Sequence, residues 1–387
     1  MHKRHFLQLG AIGASTSLLP RLASAQTASG GASQSLTLAA GWRGGPDAPG
    51  DFVGLLQVDW QAAQVTVKAA VPVPSRAHGL LAEAGGGFLA VAVRPGQWLL
   101  RCDADGKVVQ RHHMDSETGG RTLDGHACVS ADGEWIYTAE TQPGSGQGWV
   151  SVRERQSLRK VAQWRTHGAE PHHLLVHADG SLMVANGGLL RGEGDKKRDV
   201  HLMDSSLVRL DTGSGERLGQ WRLKDARLGL RHMAWNEPAT SGAGTRRLLG
   251  IALQNEHDDL TQRRNSPVLA VWDGDTLRTP SPTAAAGGYS GDIVAGPDGG
   301  FVLSCLRSHV ALQWRPSAPD EMVTVAQLRD SGALAPWMAE EAGKQRLDQS
   351  GVLLAAAAGL ARWHPSVAPA VLKWPADMKL DNHWVRT

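Results

Sequence analysis

The sequence is poor in cysteine, tyrosine and phenylalanine, with three, two and four among 387 residues. Cys102, Cys128 and Cys305 are odd in number and widely spaced, which excludes the short-interval pairs of a zinc ribbon or a haem attachment site. They read as small buried strand residues, with one disulfide open but not required. With 20% of residues charged, the chain is too polar for a multispan membrane protein. Neither sign of charge prevails: the formal net charge is +2, and it falls near −1 once Lys3, Arg4 and Arg21 of a removable leader are set aside. Nucleic acid is therefore not an expected partner.

What the chain does have is turns and indoles. Forty-six Gly and 19 Pro are about 17% of the residues, above the usual ~12%, and argue against a helical bundle. Fourteen Trp suggest a repeat in which one strand position prefers indole. At the start, a basic segment (His2, Lys3, Arg4, His5), an apolar run from Phe6 to Leu19 and small residues Ala23 and Ala25 form an export leader, residues 1–25. Lys3-Arg4-His5-Phe6-Leu7-Gln8 is similar to a twin-arginine signal with Lys for the first Arg, and an ordinary secretory leader is the alternative. Either predicts export to the periplasm. Residues 26–34, rich in Ser, Gly and Ala, read as a linker, and 35–387 as a single domain.

Four segments share one layout, an apolar run, a Gly turn and a second apolar run: from His78, His126, His173 and Asp292, each first residue seven before a Gly. Looser copies begin at His232 and Gly351. Between them lie second strand pairs marked by Trp60, Trp164, Trp221, Trp272 and Trp314, which are expected to pack sheet on sheet. Four strands at a period near 50 residues define a propeller blade. The fold expected is all-β, a seven-bladed β-propeller with inner strands beginning near 78, 126, 173, 232, 291 and 350. The seventh blade is closed by residues 381–387 against 35–42 and 52–71, which removes a free sheet edge.

The register points to a site. First strands line a propeller's channel, so His78, His126, His172 or His173, His232 and His383 open five of seven inner strands, with Asp292 at the sixth place and Ser350 near the seventh. Second strands end on the same rim at Arg94, Glu140, Asn186, Gln254 and Arg307. Imidazoles converging on an axis, with Glu140 or Asp292 as acidic partner, suit a transition metal such as iron or copper better than calcium or magnesium. The alternative is that these residues only organise channel water. Residues 187–207 form an insertion on the rim, either a lid carrying Arg191, Lys197 and Asp204 or a plain loop. His112 and His113 end an outer strand and are expected to be exposed, and residues 335–347 read as a short helix or a loop between blades.

The stretches SRAHGLL (75–81), DGHACVSADG (124–133), GAEPHHLL (168–175), MDSSLVRLD (203–211), LRHMAW (230–235) and DNHW (381–384) resemble the exported proteins numbered 1513 among the domains of unknown function. In that family's pattern the third histidine follows proline directly, which implies His172, whereas the register favours His173. The resemblance implies a propeller-like fold, a neighbouring imelysin-type or haem-containing periplasmic partner, and an accessory role in metal acquisition without an assigned reaction. A monomer is expected. Two other readings stand beside the metal-binding propeller: a metal-dependent oxidoreductase or hydrolase, and an interaction scaffold without metal. No nucleotide loop or covalent haem motif is present.

Overall fold

In a computed structural model, residues 35–117, 119–238, 246–280, 284–338 and 350–387 are described. The expected leader, the linker and residues 339–347 of the expected helix or loop lie outside them, while residues 335–338 of the latter belong to a strand, Leu334–Met338. Seven four-stranded antiparallel sheets follow one another along the chain. Blade 1 spans residues 77–113, blade 2 122–169, blade 3 171–221, blade 4 228–278, blade 5 292–327 and blade 6 334–373. Blade 7 takes its inner strand, Met378–Arg386, from the end of the chain and its other three, Ser35–Gly44, Asp51–Asp59 and Gln64–Val73, from the beginning. Trp384 lies opposite Ala40 and Arg386 opposite Leu38, so the two ends of the ring are joined by a ladder of backbone hydrogen bonds.

The packing follows from strand alternation. An apolar cluster fills the space between each pair of neighbouring blades. Trp314 and Trp272 are buried in two of these clusters, while Trp60, Trp164 and Trp221 pack against them from partly buried positions. Large aromatic area at each blade junction is what holds twisted sheets face to face. Cys102, Cys128 and Cys305 are free thiols buried within strands, and burial pushes the first up to about 11 and the third up to about 12.

The sixth blade corrects one sequence expectation. Its inner strand is Leu334–Met338, and Ser350–Ala356 pairs between that strand and Gly359–His364 as the second of the four. Ser350 therefore does not open an inner strand. The repeat from Gly351 has the apolar-turn-apolar layout because the second and third strands form a hairpin too.

The inner strands are not alike. In blades 1, 2, 3, 4 and 7 the pairing register shifts within the inner strand, between Ala77 and Leu80, Leu123 and Ala127, Pro171 and His173, and Leu230 and Met233, and opposite Ala40 and Trp42. These intervals contain His78, His126, His172 and His232, and in blade 7 the residues opposite them include His383. The inner strands of blades 5 and 6, Asp292–Ala295 and Leu334–Met338, pair without a shift. A bulge adds residues to one strand and re-aims side chains that strict alternation would point elsewhere.

Candidate metal centre

The five bulges deliver their imidazoles to one place on the axis. His78, His126, His232 and His383 are all buried, and each offers a ligand atom within 4.8 Å of those of the other three. His172 joins from blade 3: its Nε2 is 2.8 Å from His232 Nε2, which is also 2.9 Å from His383 Nε2. His173, the next residue, sets its ring 4.6 Å from that of His126 and accepts a hydrogen bond at Nδ1 from the Met233 amide at 3.2 Å. Both candidates in blade 3 thus reach the cluster, because the bulge after Pro171 breaks the alternation that would have separated them. His172 is the one in contact with another ring nitrogen.

Close approach of the backbones makes room for this. Gly125 has φ +104°, and a Cβ there would stand 2.8 Å from His78 Cδ2; a Cβ on Gly79 would stand 2.3 Å from the Gly125 carbonyl oxygen. Glycine is required at both places, by conformation at the first and by space at the second.

Two carboxylates orient the rings. His78 Nδ1 donates to Asp381 Oδ1 at 2.9 Å, and Asp381 is in turn paired with Arg76. The bond commits Nδ1 and leaves Nε2 as the free nitrogen. Asp292 stands 3.4 Å from His383 Nδ1, but its oxygens also accept the Ile293 and Leu334 amides at 2.9 and 2.8 Å. Asp292 therefore ties blade 5 to blade 6 and faces the outer nitrogen of a histidine; it lies behind the ring cluster. Asp381 was not expected from sequence, although its position two residues before His383 was available as a signal.

The cluster's polar atoms are incompletely satisfied. His126 Nε2 and His232 Nδ1 are buried without a hydrogen-bond partner. His232 Nε2 has one in-plane position, proton or lone pair, to serve two nitrogen neighbours below 3 Å. Burial pushes His78 down to about 4, against the opposing pull of Asp381, and pushes His126, His172 and His232 well below the usual imidazole value. These rings are neutral at pH 7 and carry the lone pairs that a metal requires.

The remaining rim residues have other partners. Glu140 is not beside the histidines: its carboxylate bonds Arg153 at 2.7 Å and Thr138 at 2.9 Å in a buried network reaching Glu117 and Lys160. Residues 138 and 140 share one strand face, and that face meets Arg153 of the next strand. Asn186 donates to the Thr166 carbonyl oxygen and Ser206 Oγ between strands, Gln254 bonds Glu256, and Arg307 stacks on Tyr289. Asp204 is an exposed partner of Arg222 and belongs to no site. His112 is partly buried by its 2.6 Å bond to Glu117, contrary to the expected exposure, while His113 is exposed.

Arg94 does reach the centre, with Nη1 3.4 Å from His172 Nδ1. It also lies 3.3 Å from Glu170, the carboxylate that sequence reasoning passed over. Arg191 and Arg231 approach the same Glu170 oxygen at 2.7 and 2.8 Å, and these cations hold its carboxyl down at about 2 in spite of burial. The insertion after blade 3's second strand forms a small hairpin, Leu190–Arg191 with Lys197–Arg198, over this rim. Arg94, Asp124, Glu170 and the hairpin enclose a pocket of about 360 Å³. Asp124 bonds Thr141 there at 2.6 Å, and burial pushes its carboxyl up to about 7.

Fold and site together define a seven-bladed propeller with a buried, axial histidine cluster. The chain belongs to the family described as "Protein of unknown function (DUF1513)", whose sequence profile matches residues 71–387. No curated protein matches it. Among solved structures it is similar to Kuenenia stuttgartiensis hydrazine synthase, with 13% identity over 84% of this chain and 95% of that one and a TM-score of 0.55. It is also similar to the Dos1 propeller, with 8% identity, 89% and 86% coverage and a TM-score of 0.50. A streptogramin B lyase covers 82% of this chain and 90% of its own at 11% identity, with a TM-score of 0.49. At such identities the first two likenesses speak for the fold alone.

Proposed function

We propose that this protein is a periplasmic propeller that holds one transition metal ion, iron or copper, through its channel histidines and serves metal acquisition in an accessory role. The observation that carries the reading is the convergence of His78, His126, His232 and His383 within 4.8 Å. Two nitrogens bound at right angles to one ion, each 2.0–2.1 Å from it, stand about 2.9 Å apart. The His172–His232 and His232–His383 separations are of that size. An ion would also give the orphaned Nε2 of His126 something to bond. Nitrogen donors without a carboxylate among them favour later first-row metals over calcium or magnesium. The leader sequence supports the periplasmic location, and the family resemblance supports a neighbouring imelysin-like or haem-containing partner.

The pocket lined by Arg94, the arginine that touches His172, favours a second reading, a metal-dependent oxidoreductase or hydrolase whose metal would activate water or substrate. Elemental analysis of untagged protein from the periplasm tests the first claim. His126→Ala should lose the metal, whereas His201→Ala, an exposed position on the insertion, should keep it. Equal metal content in both variants, or none in the parent at neutral pH, would leave the scaffold reading in front.

A further inference from the structure

The insertion after blade 3's second strand is fastened to the rim chiefly by charge. Leu189 and Met203 at its two ends are buried, whereas none of residues 190–202 is. Its legs meet where the Asp204 amide donates to the Gly188 carbonyl oxygen at 3.2 Å. Gly188 has φ +78°, and a Cβ there would stand 2.4 Å from the Asp204 carbonyl carbon, so conformation and space both ask for glycine at this junction. Beyond it, polar ties hold the hairpin down on either side. Arg191 Nη2 donates to Glu170 Oε1 at 2.7 Å, Lys197 Nζ to Glu256 Oε2 at 2.6 Å beside blade 4, and Arg198 Nη2 to the Gly144 carbonyl oxygen at 2.9 Å in a turn of blade 2. A segment held by partly exposed ion pairs, with no buried apolar face of its own, opens at far lower cost than the blades.

Beneath the hairpin lies a way to the histidines. Arg94 lines the pocket there and reaches His172 Nδ1 at 3.4 Å, so a single side chain spans from pocket to cluster. The hairpin holds that side chain from above. Asp195 Oδ2 stands 3.5 Å from Arg94 Nε, and Glu170, 3.3 Å from Arg94, is the carboxylate that Arg191 grips. Among the described residues, four carboxylates, Asp124 and Glu193 among them, line the pocket against three guanidiniums, so its net charge does not oppose a cation. We infer that the hairpin is a lid through which the metal ion reaches the histidine cluster, opening about Gly188 and Asp204 and drawing Asp195 and Arg191 away from Arg94 and Glu170. The inference rests on the metal reading and adds how the buried site is loaded. Loosening a lid that closes equally well with and without the ion raises the rates of entry and exit by one factor and leaves the affinity where it was.

The test follows copper(II) in both directions. Metal-stripped protein takes the ion up from a glycine buffer in stopped flow, read by quenching of tryptophan fluorescence, and loaded protein releases it to excess EDTA. Lys197→Met combined with Arg198→Ala unties the hairpin from Glu256 and Gly144, and should raise both rates about fivefold or more, the factor that exposed ion pairs are worth, with the dissociation constant unchanged. Lys224→Met removes a positive charge from an exposed rim position outside the hairpin and should change neither rate. The double variant leaves Glu256 without Lys197; should it fail to fold, Arg198→Ala alone should raise both rates by a smaller common factor. Rates equal to the parent's, faster release alone with a matching loss of affinity, or the same acceleration in Lys224→Met would overturn the lid while leaving the metal site standing. A parent that takes up no copper(II) at equilibrium would overturn the metal reading and the lid with it, so the two failures are told apart.

Discussion

Five inner strands of this ring are bulged and carry histidine; the other two, in blades 5 and 6, are regular and carry none on the axis. The regular pair behaves as a propeller inner strand would from alternation alone, with Ile293 and Leu334 turned into the clusters between blades. In the bulged five, the extra residues free one position per strand from that alternation, and each freed position is spent on an imidazole. The same irregularity that weakens a ladder locally is thus what assembles the site. Blades 5 and 6 contribute the tie between them, Asp292 to the Leu334 amide.

The strongest way to break the contrast is to remove a bulged strand. Deleting residues 381–387 takes most of blade 7's inner strand, together with Asp381 and His383, and exposes an edge of the sheet. Loss of a sharp thermal transition is expected, and a truncated protein that melts like its parent would contradict closure by the two ends.

Acidification comes next, and only the five-blade side should feel it. In the metal-stripped protein His78 is neutral down to about 4, whereas the unfolded chain binds that proton at about 6.5. This ring's contribution to stability is therefore full above pH 6.5 and falls as pH drops from there toward 4, by about 1.4 kcal/mol per unit, while Asp124, raised to about 7, acts in the opposite direction. His126, His172 and His232 act in the same direction. Denaturant midpoints at pH 7 and pH 5 measure it, and a parent equally stable at both would show that the rings are not held neutral.

A smaller effect separates the two kinds of strand directly. Gly125→Ala places a Cβ at a positive φ and against His78, and should cost roughly 1–3 kcal/mol and disturb the cluster. Val294→Ala, in blade 5's regular strand, removes partly buried methyls and should cost about 1 kcal/mol with metal content unchanged. Equal metal loss in the two would deny the bulges their role.

The smallest change in structure tests the carboxylates. Asp381→Asn should lower metal affinity about 10–100-fold in chelator competition, as losses of such outer partners do. Asp292→Asn should do less, since its oxygens are shared with two amides and stand farther from the ring.

The ring itself was legible because Gly turns at a fixed offset mark each hairpin, and because DNHW at 381–384 could complete a strand set that began at 35. Blade 6 was misplaced because its inner strand, Leu334–Met338, is separated from the next by residues 339–349, which lack the repeat layout. Histidine convergence was legible as a register, but the bulges that produce it were not: an inserted residue has no compositional mark, so His172 and His173 could not be told apart. Glu140 was misread for a related reason. The end of a second strand lies near the rim, yet the side chain's face follows alternation, and that face meets Arg153.

Blade 7's construction has a consequence for the order of events during synthesis. The proposed ligands run from His78 to His383, and the last of them lies on the strand that fastens the ring. A nascent chain that has not yet delivered residues 378–386 can offer neither the fourth imidazole nor a closed circle. If the proposed ion binds there, its capture and the closure of the ring depend on the same strand, and a chain without that strand can do neither.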